Sequence, residues 1–136
     1  MIKKSAYIFT FLMVSCNTNS IDCVNLSEKD NLVYLEDKLY SGECFSKNGN
    51  VTIEIRNYKN GKRHGKWRGY YTTGEIQYEG YCKDNELHGE FISYYENGQK
   101  KAEGNFDKGF QIGKWIRYNQ NGEIKETKNY KTNINE

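Results

Sequence analysis

From Leu32 onward, polar and apolar residues alternate through LVYLEDKLYSGECFSKNGNVTIEIRNYKNGK, and glycine interrupts the alternation at regular intervals. Alternation of period two predicts half-buried strands, and the glycines predict the turns between them. Between Gly65 and Gly122 the chain says nearly the same thing three times: HGKWRGYYTTGE, HGEFISYYENGQ and IGKWIRYNQNGE. Gly65, Gly89 and Gly113 are 24 residues apart, as are Gly74, Gly98 and Gly122. Trp67, Phe91 and Trp115 coincide between those rows, and so do Tyr70, Tyr94 and Tyr118. A period in the low twenties marks a repeat whose single unit cannot bury its face alone and must stack on neighbours.

Within one unit, Lys66 to Tyr71 reads as a strand, Thr72-Thr73-Gly74 as a turn, Glu75 to Cys82 as the returning strand, and Lys83 to Glu86 as the turn into the next hairpin. Asn48-Gly49, Asn60-Gly61, Asn97-Gly98 and Asn121-Gly122 are dipeptides that accept positive φ. Gly65 and its equivalents are expected to open each hairpin. One face should carry Trp67, Tyr71, Phe91, Tyr95, Ile76, Tyr78, Cys82, Ala102 and Phe106, with Gly80 and Gly104 leaving room for a neighbouring ring. The fold class predicted is all-β, an elongated antiparallel sheet of stacked hairpins forming a single domain after a signal segment. Its units are 58–81, 82–105 and 106–131, with a tail at 132–136. They follow a degenerate unit, 32–57, in which Gly42 and Gly49 imply a hairpin two residues shorter.

Ahead of the repeats, the positive MIKK precedes the apolar run SAYIFTFLMVSC, too short to cross a bilayer as a helix and of signal-peptide length. Met13-Val14-Ser15-Cys16 is similar to a bacterial lipobox, which implies that residues 1–15 are a lipoprotein-type signal and that Cys16 is lipidated. Two or more acyl chains on one residue anchor stably where one is marginal, so the implied location is a membrane of the bacterial cell envelope. The polar stretch 16–31 reads as a tether. With Cys16 acylated, Cys23, Cys44 and Cys82 remain in an oxidising compartment. Cys82 occupies the repeat position of Tyr58 and Phe106, a buried hydrophobe, which leaves Cys23 and Cys44 as the candidate disulfide. No C-x-x-C spacing points to metal.

Composition adds limits. At 36% hydrophobic the core must be aromatic, drawn from 12 Tyr, 6 Phe and 2 Trp. Without Lys3 and Lys4 the basic count falls from 20 to 18, equal to the acidic count, so a nucleic-acid partner is not expected. The cluster Arg56, Lys59, Lys62, Arg63, Lys66 and Arg68 reads as a solvated hairpin edge, or alternatively as a contact for anionic lipid. A catalytic residue should break a repeat, yet His64 and His88 obey it and are replaced by Ile112, while Glu75 and Glu123 alternate with Gln99. No enzyme, cofactor or metal is therefore expected. The face opposite the packed one should carry Tyr70, Tyr94, Tyr118, Ile92, Ile116 and Arg68 beside Glu79, Lys101 and Glu103. It is the candidate face for a protein partner, set against the simpler reading that these tyrosines stabilise the sheet.

YKNGKRHGKWRGYYTTGEIQYEG and FDKGFQIGKWIRYNQNGE resemble MORN repeats of the variant kind, and the whole plan resembles the YwqK-type antitoxin family. The resemblance implies a stacked-hairpin scaffold that contacts protein or lipid, and an export signal turns the expected role toward an envelope immunity-like factor.

Overall fold

Hairpin after hairpin is laid side by side. The computed structural model describes residues 20–131; the signal segment 1–15, Cys16 and the tail 132–136 lie outside the described residues. Its strands are β1 (Ile21–Asp22), β2 (Ser27–Lys29), β3 (Leu32–Leu35), β4 (Lys38–Leu39), β5 (Gly42–Asn48), β6 (Val51–Lys59), β7 (Lys62–Tyr70), β8 (Ile76–Lys83), β9 (Glu86–Tyr94), β10 (Lys100–Asp107), β11 (Phe110–Tyr118) and β12 (Ile124–Tyr130). Nine of them form one sheet in the order β1-β5-β6-β7-β8-β9-β10-β11-β12, and β2-β3-β4 form a second. Every pairing in both sheets is antiparallel except β1 on β5. The all-β array of stacked hairpins expected from the sequence is the fold observed.

Two kinds of turn alternate along the sheet. On one side, Asn60-Gly61, Asp84-Asn85 and Lys108-Gly109 take positive φ at both central positions, the conformation whose twist suits a two-residue hairpin. On the other, three-residue loops end in Gly74, Gly98 and Gly122, and the Gly98 N–H returns to the Tyr95 carbonyl at 2.9 Å. In these loops only the glycine has positive φ, so Asn97 and Asn121 are not left-handed as the Asn-Gly dipeptides suggested.

Gly65, Gly89 and Gly113 do not open the hairpins. They lie inside β7, β9 and β11, where two extra residues enter the register: Arg56 pairs with Trp67 but Tyr58 with Arg63. Gly65 takes φ 100° at this bulge and Gly89 takes 83°, with no atom within 4 Å of a Cβ built at Gly89. Backbone conformation rather than crowding therefore selects glycine here.

The expected tether is also revised, since residues 21–29 of the stretch 16–31 contribute β1, a 3-10 turn at Cys23–Asn25 and β2. They have no long periodic pattern because each strand is only two or three residues. Cys23 and Cys44 are joined, S–S 2.10 Å, tying this segment to β5. Val33, Tyr40, Cys44 and Tyr58 form a buried cluster against Ile21, Cys23, Leu26 and Leu35. The small sheet is docked on the two-residue-turn side, with the Val33 N–H donating to the Gly61 carbonyl at 2.8 Å and the Asn85 amide to Asn31 at 3.0 Å.

Past this cap the core becomes a line of rings. Trp67 meets Tyr78 at 4.5 Å between centroids and Phe91 at 6.5 Å; Phe91 meets Phe106 at 5.5 Å and Trp115 at 6.1 Å; Trp115 meets Tyr130 at 6.4 Å. Such pairs add about 0.5–1.5 kcal/mol each beyond burial. Glycines opposite the rings make the space: a Cβ at Gly104 would lie 2.3 Å from Trp115 and one at Gly69 2.2 Å from Tyr78. Room was expected at Gly80 and Gly104, whereas the Gly69 site was not.

Candidate binding face

Cross-strand register places Phe45, Ile55, Arg68, Glu79, Ile92, Glu103, Ile116 and Thr127 in one row across β5 to β12. This row lies on the side opposite Trp67 and Phe91, because strand residues alternate in facing. Two residues along the strand from Arg68, Ile92 and Ile116 stand Tyr70, Tyr94 and Tyr118, on the same side. The six residues proposed for the binding face thus lie together. Ile76, expected on the packed side, pairs with Tyr70 instead, because a bulge at Gln77 shifts the alternation. The equivalent bulge at Lys101 takes that side chain to the Tyr95 ring, 5.7 Å from its centroid.

The tyrosines do not stand free. Tyr94 donates its hydroxyl to Glu79 Oε1 at 3.1 Å, and Tyr118 donates to Glu103 Oε1 at 2.5 Å. Each link runs 15 residues back, onto a strand of the preceding hairpin. Glu79 also accepts from Arg68 at 3.3 Å and has Lys66 at 3.6 Å, while Lys100 reaches Glu103 at 2.6 Å. Partial burial pushes the Glu79 carboxyl up, but the Tyr94 hydroxyl and the Lys66 and Arg68 cations more than offset this and hold its pKa below the ordinary value. The Lys100 ammonium, then the Tyr118 hydroxyl, hold Glu103 down. Burial and then the Glu79 bond push Tyr94 up. Tyr70 differs, because the position 15 residues before it is Ile55 and offers no carboxylate; the nearby Tyr70 hydroxyl is the first cause of the raised Arg68 pKa.

The packed side holds a polar knot that sequence reasoning missed. Trp67 Nε1 donates to Glu54 Oε1 at 2.6 Å, Tyr78 donates to the same oxygen at 3.3 Å, and Arg56 bonds the other oxygen. Burial alone would raise the Glu54 pKa, but the Arg56 and Trp67 hydrogen bonds bring it below the ordinary value. Burial and the Glu54 charge push Tyr78 up to about 12. Alternation along VTIEIRNYK could have placed Glu54 and Arg56 with Tyr58, but not beside Trp67, which needs the register.

The basic cluster is divided rather than gathered. Arg56 points to the Trp67 side and pairs with Glu54, whereas Arg68 and Lys66 lie on the Tyr70 side and pair with Glu79. His64 stands 3.7 Å from Asp84 in the β8-β9 turn, and His88 stands 3.2 Å from Asp107 at the end of β10. The third equivalent, Ile112, pairs with Asn105. Among the described residues, no three His, Cys, Asp or Glu gather as metal ligands. Cys82 is a buried free thiol.

The array is thus a stacked-hairpin scaffold with two differentiated faces, and its repeats match a known profile. The family described as MORN repeat variant matches residues 63–84, 87–108 and 111–132, one match for each of the hairpins β7-β8, β9-β10 and β11-β12. The chain therefore carries three units similar to that repeat, offset by about five residues from the unit boundaries read off the sequence. No curated protein matches the chain.

Proposed function

We propose that this chain is a non-catalytic binding module, a repeat array anchored in the bacterial cell envelope through a lipid on Cys16, which offers its Tyr70-side face to a protein partner as an antitoxin or immunity-like factor. The observation that supports the reading is the prior commitment of the polar groups of that face. Glu79 and Glu103 are satisfied by tyrosine, lysine and arginine within the sheet. A partner therefore meets a surface already ordered, and association loses little side-chain freedom there. Ile92 and Ile116, half-buried between those carboxylates, supply the apolar contact and the fixed charges supply specificity.

The test replaces Ile92 and Ile116 together with Ser in the full-length protein and compares envelope partners captured by cross-linking. Stability is followed in parallel by urea unfolding. The proposal expects the partner to be lost while the unfolding midpoint is retained. The same capture from a folded variant overturns it. Mass spectrometry of the N-terminus decides the anchoring, which fails if Cys16 carries no acyl group.

A further inference from the structure

The two ends of the array are built differently. At the first, β5 is covered by β1, the Cys23–Cys44 bridge and the packing of the small sheet. At the other, β12 is the outermost strand, with β11 on one side and no neighbour on the other among the described residues. Such an edge presents a row of unpaired amides and carbonyls that pair with any compatible strand unless charge prevents it. The charges on β12 are exposed and mixed: Lys125, Glu126 and Lys128 in the strand Ile124–Tyr130. Glu126 and Lys128 are placed symmetrically about Thr127, so the same charges that repel most strands complement one.

We propose that a second copy of this chain docks on this edge, β12 antiparallel to β12, about a two-fold axis at Thr127. In that register Glu126 of each copy faces Lys128 of the other and Thr127 faces itself, while Lys125, the extra residue of a bulge against β11, lies outside the regular pairing. A pairing centred one residue earlier sets Glu126 against Glu126, and one centred a residue later sets Lys128 against Lys128. A parallel in-register pairing puts like charge on like throughout. Opposed like charges destabilise a strand pair and opposite charges stabilise it, so the pattern selects one register and rejects its neighbours.

A two-fold axis normal to the sheet keeps corresponding faces on the same side. The Glu126 and Lys128 pairs then lie on the Trp115 side, where Glu126 already accepts from Arg117 at 2.8 Å, so the partner's Lys128 would join an existing ion pair, and where Lys128 is opposite Trp115 with its ammonium 4.6 Å from the Tyr130 ring. At the Tyr130 end of the strand an open hollow of about 610 Å³ is lined by Phe110, Ile112 and Tyr130, and beyond the Lys125 bulge Ile124, opposite Tyr118, is 63% exposed. Phe110 is 69% exposed. Because the contact is self-complementary it closes as a dimer. It uses the β12 edge and none of Tyr70, Tyr94, Tyr118, Ile92, Ile116 or Arg68, so it stands or falls separately from partner binding.

The test uses the full-length protein in membranes. Thr127→Cys should cross-link to a species of twice the mass on mild oxidation, while Thr73→Cys, in a turn away from the axis, and the unsubstituted chain should not. Adding Lys128→Glu, or separately Glu126→Lys, should abolish the cross-link in each variant alone. Mixing the two variants should restore it, because two carboxylates of one copy then face two ammonium groups of the other; restoration also shows that both fold. Monomer only from Thr127→Cys overturns the proposal, as does cross-linking indifferent to the charge changes. An adduct of another mass, which would mark a different occupant of the edge, also overturns it.

Discussion

Substituting Gly104 with Ala probes whether the aromatic line depends on a side chain that is absent. A Cβ at position 104 would stand 2.3 Å from Trp115 Cδ2 and Cε2, far inside contact distance. The ring has nowhere to retreat. Its centroid lies 5.1 Å from Phe106, 6.1 Å from Phe91 and 6.4 Å from Tyr130, its Nε1 donates to the Asn105 carbonyl at 3.1 Å, and only 4% of the residue is exposed. Overpacking of this kind costs about 1–3 kcal/mol, and full expulsion of the ring sets a ceiling of about 3–5 kcal/mol. Ala also restricts the unfolded chain, which returns about 0.4–1 kcal/mol where its backbone conformation is tolerated. The expected net loss is about 1–2 kcal/mol. Gly80→Ala is the control, since its Cβ would meet Phe91 Cδ2 at 3.1 Å, a gap that a few tenths of an ångström relieves, and its net effect should be about zero. Urea unfolding followed by circular dichroism measures both as midpoint shifts at constant slope. A cycle with Trp115→Leu isolates the clash, because Gly104→Ala should be harmless once the ring is gone. The reasoning is refuted if Gly104→Ala lies within about 0.5 kcal/mol of Gly80→Ala, or if its penalty persists without Trp115.

Reducing Cys23–Cys44, which bridges a sequence separation of 21, should cost about 3 kcal/mol by loop entropy; amides of β1 to β4 should lose exchange protection before those of β7 to β12, and uniform loss would contradict a local cap. Acid should weaken the fold through Glu54: its folded pKa lies below the unfolded value near 4.5, so its stabilisation is complete above that pH and disappears as pH falls through the folded value. Glu54→Gln should therefore lower the urea midpoint at neutral pH and narrow its difference from the parent below pH about 4.5, and an undiminished difference at pH 3 would remove Glu54 as the titrating group.

Much of the array was written in one dimension. The 24-residue glycine rows, the recurring Trp67, Phe91 and Trp115 and the alternation between them specify hairpins, two faces and an aromatic core. These are short-range consequences of period and turn chemistry. The site was legible only as a list of residues sharing a side. That Tyr94 and Tyr118 are secured by Glu79 and Glu103, and that Trp67, Tyr78 and Arg56 converge on Glu54, depends on which residues adjoining strands bring opposite one another. Bulges at Gly65 and Gln77 shift that register and turn Ile76 toward Tyr70, and periodicity cannot place a bulge. Residues 21–29 were equally silent, since strands of two or three residues have no period to display and are held by the Cys44 bridge and neighbouring strands. The sequence by itself determined the unit and its repetition, which are local. Only the tertiary structure decided the partners of each side chain and, among the described residues, the difference between a covered first edge and an unpaired last one, because both depend on pairing between segments far apart in the chain.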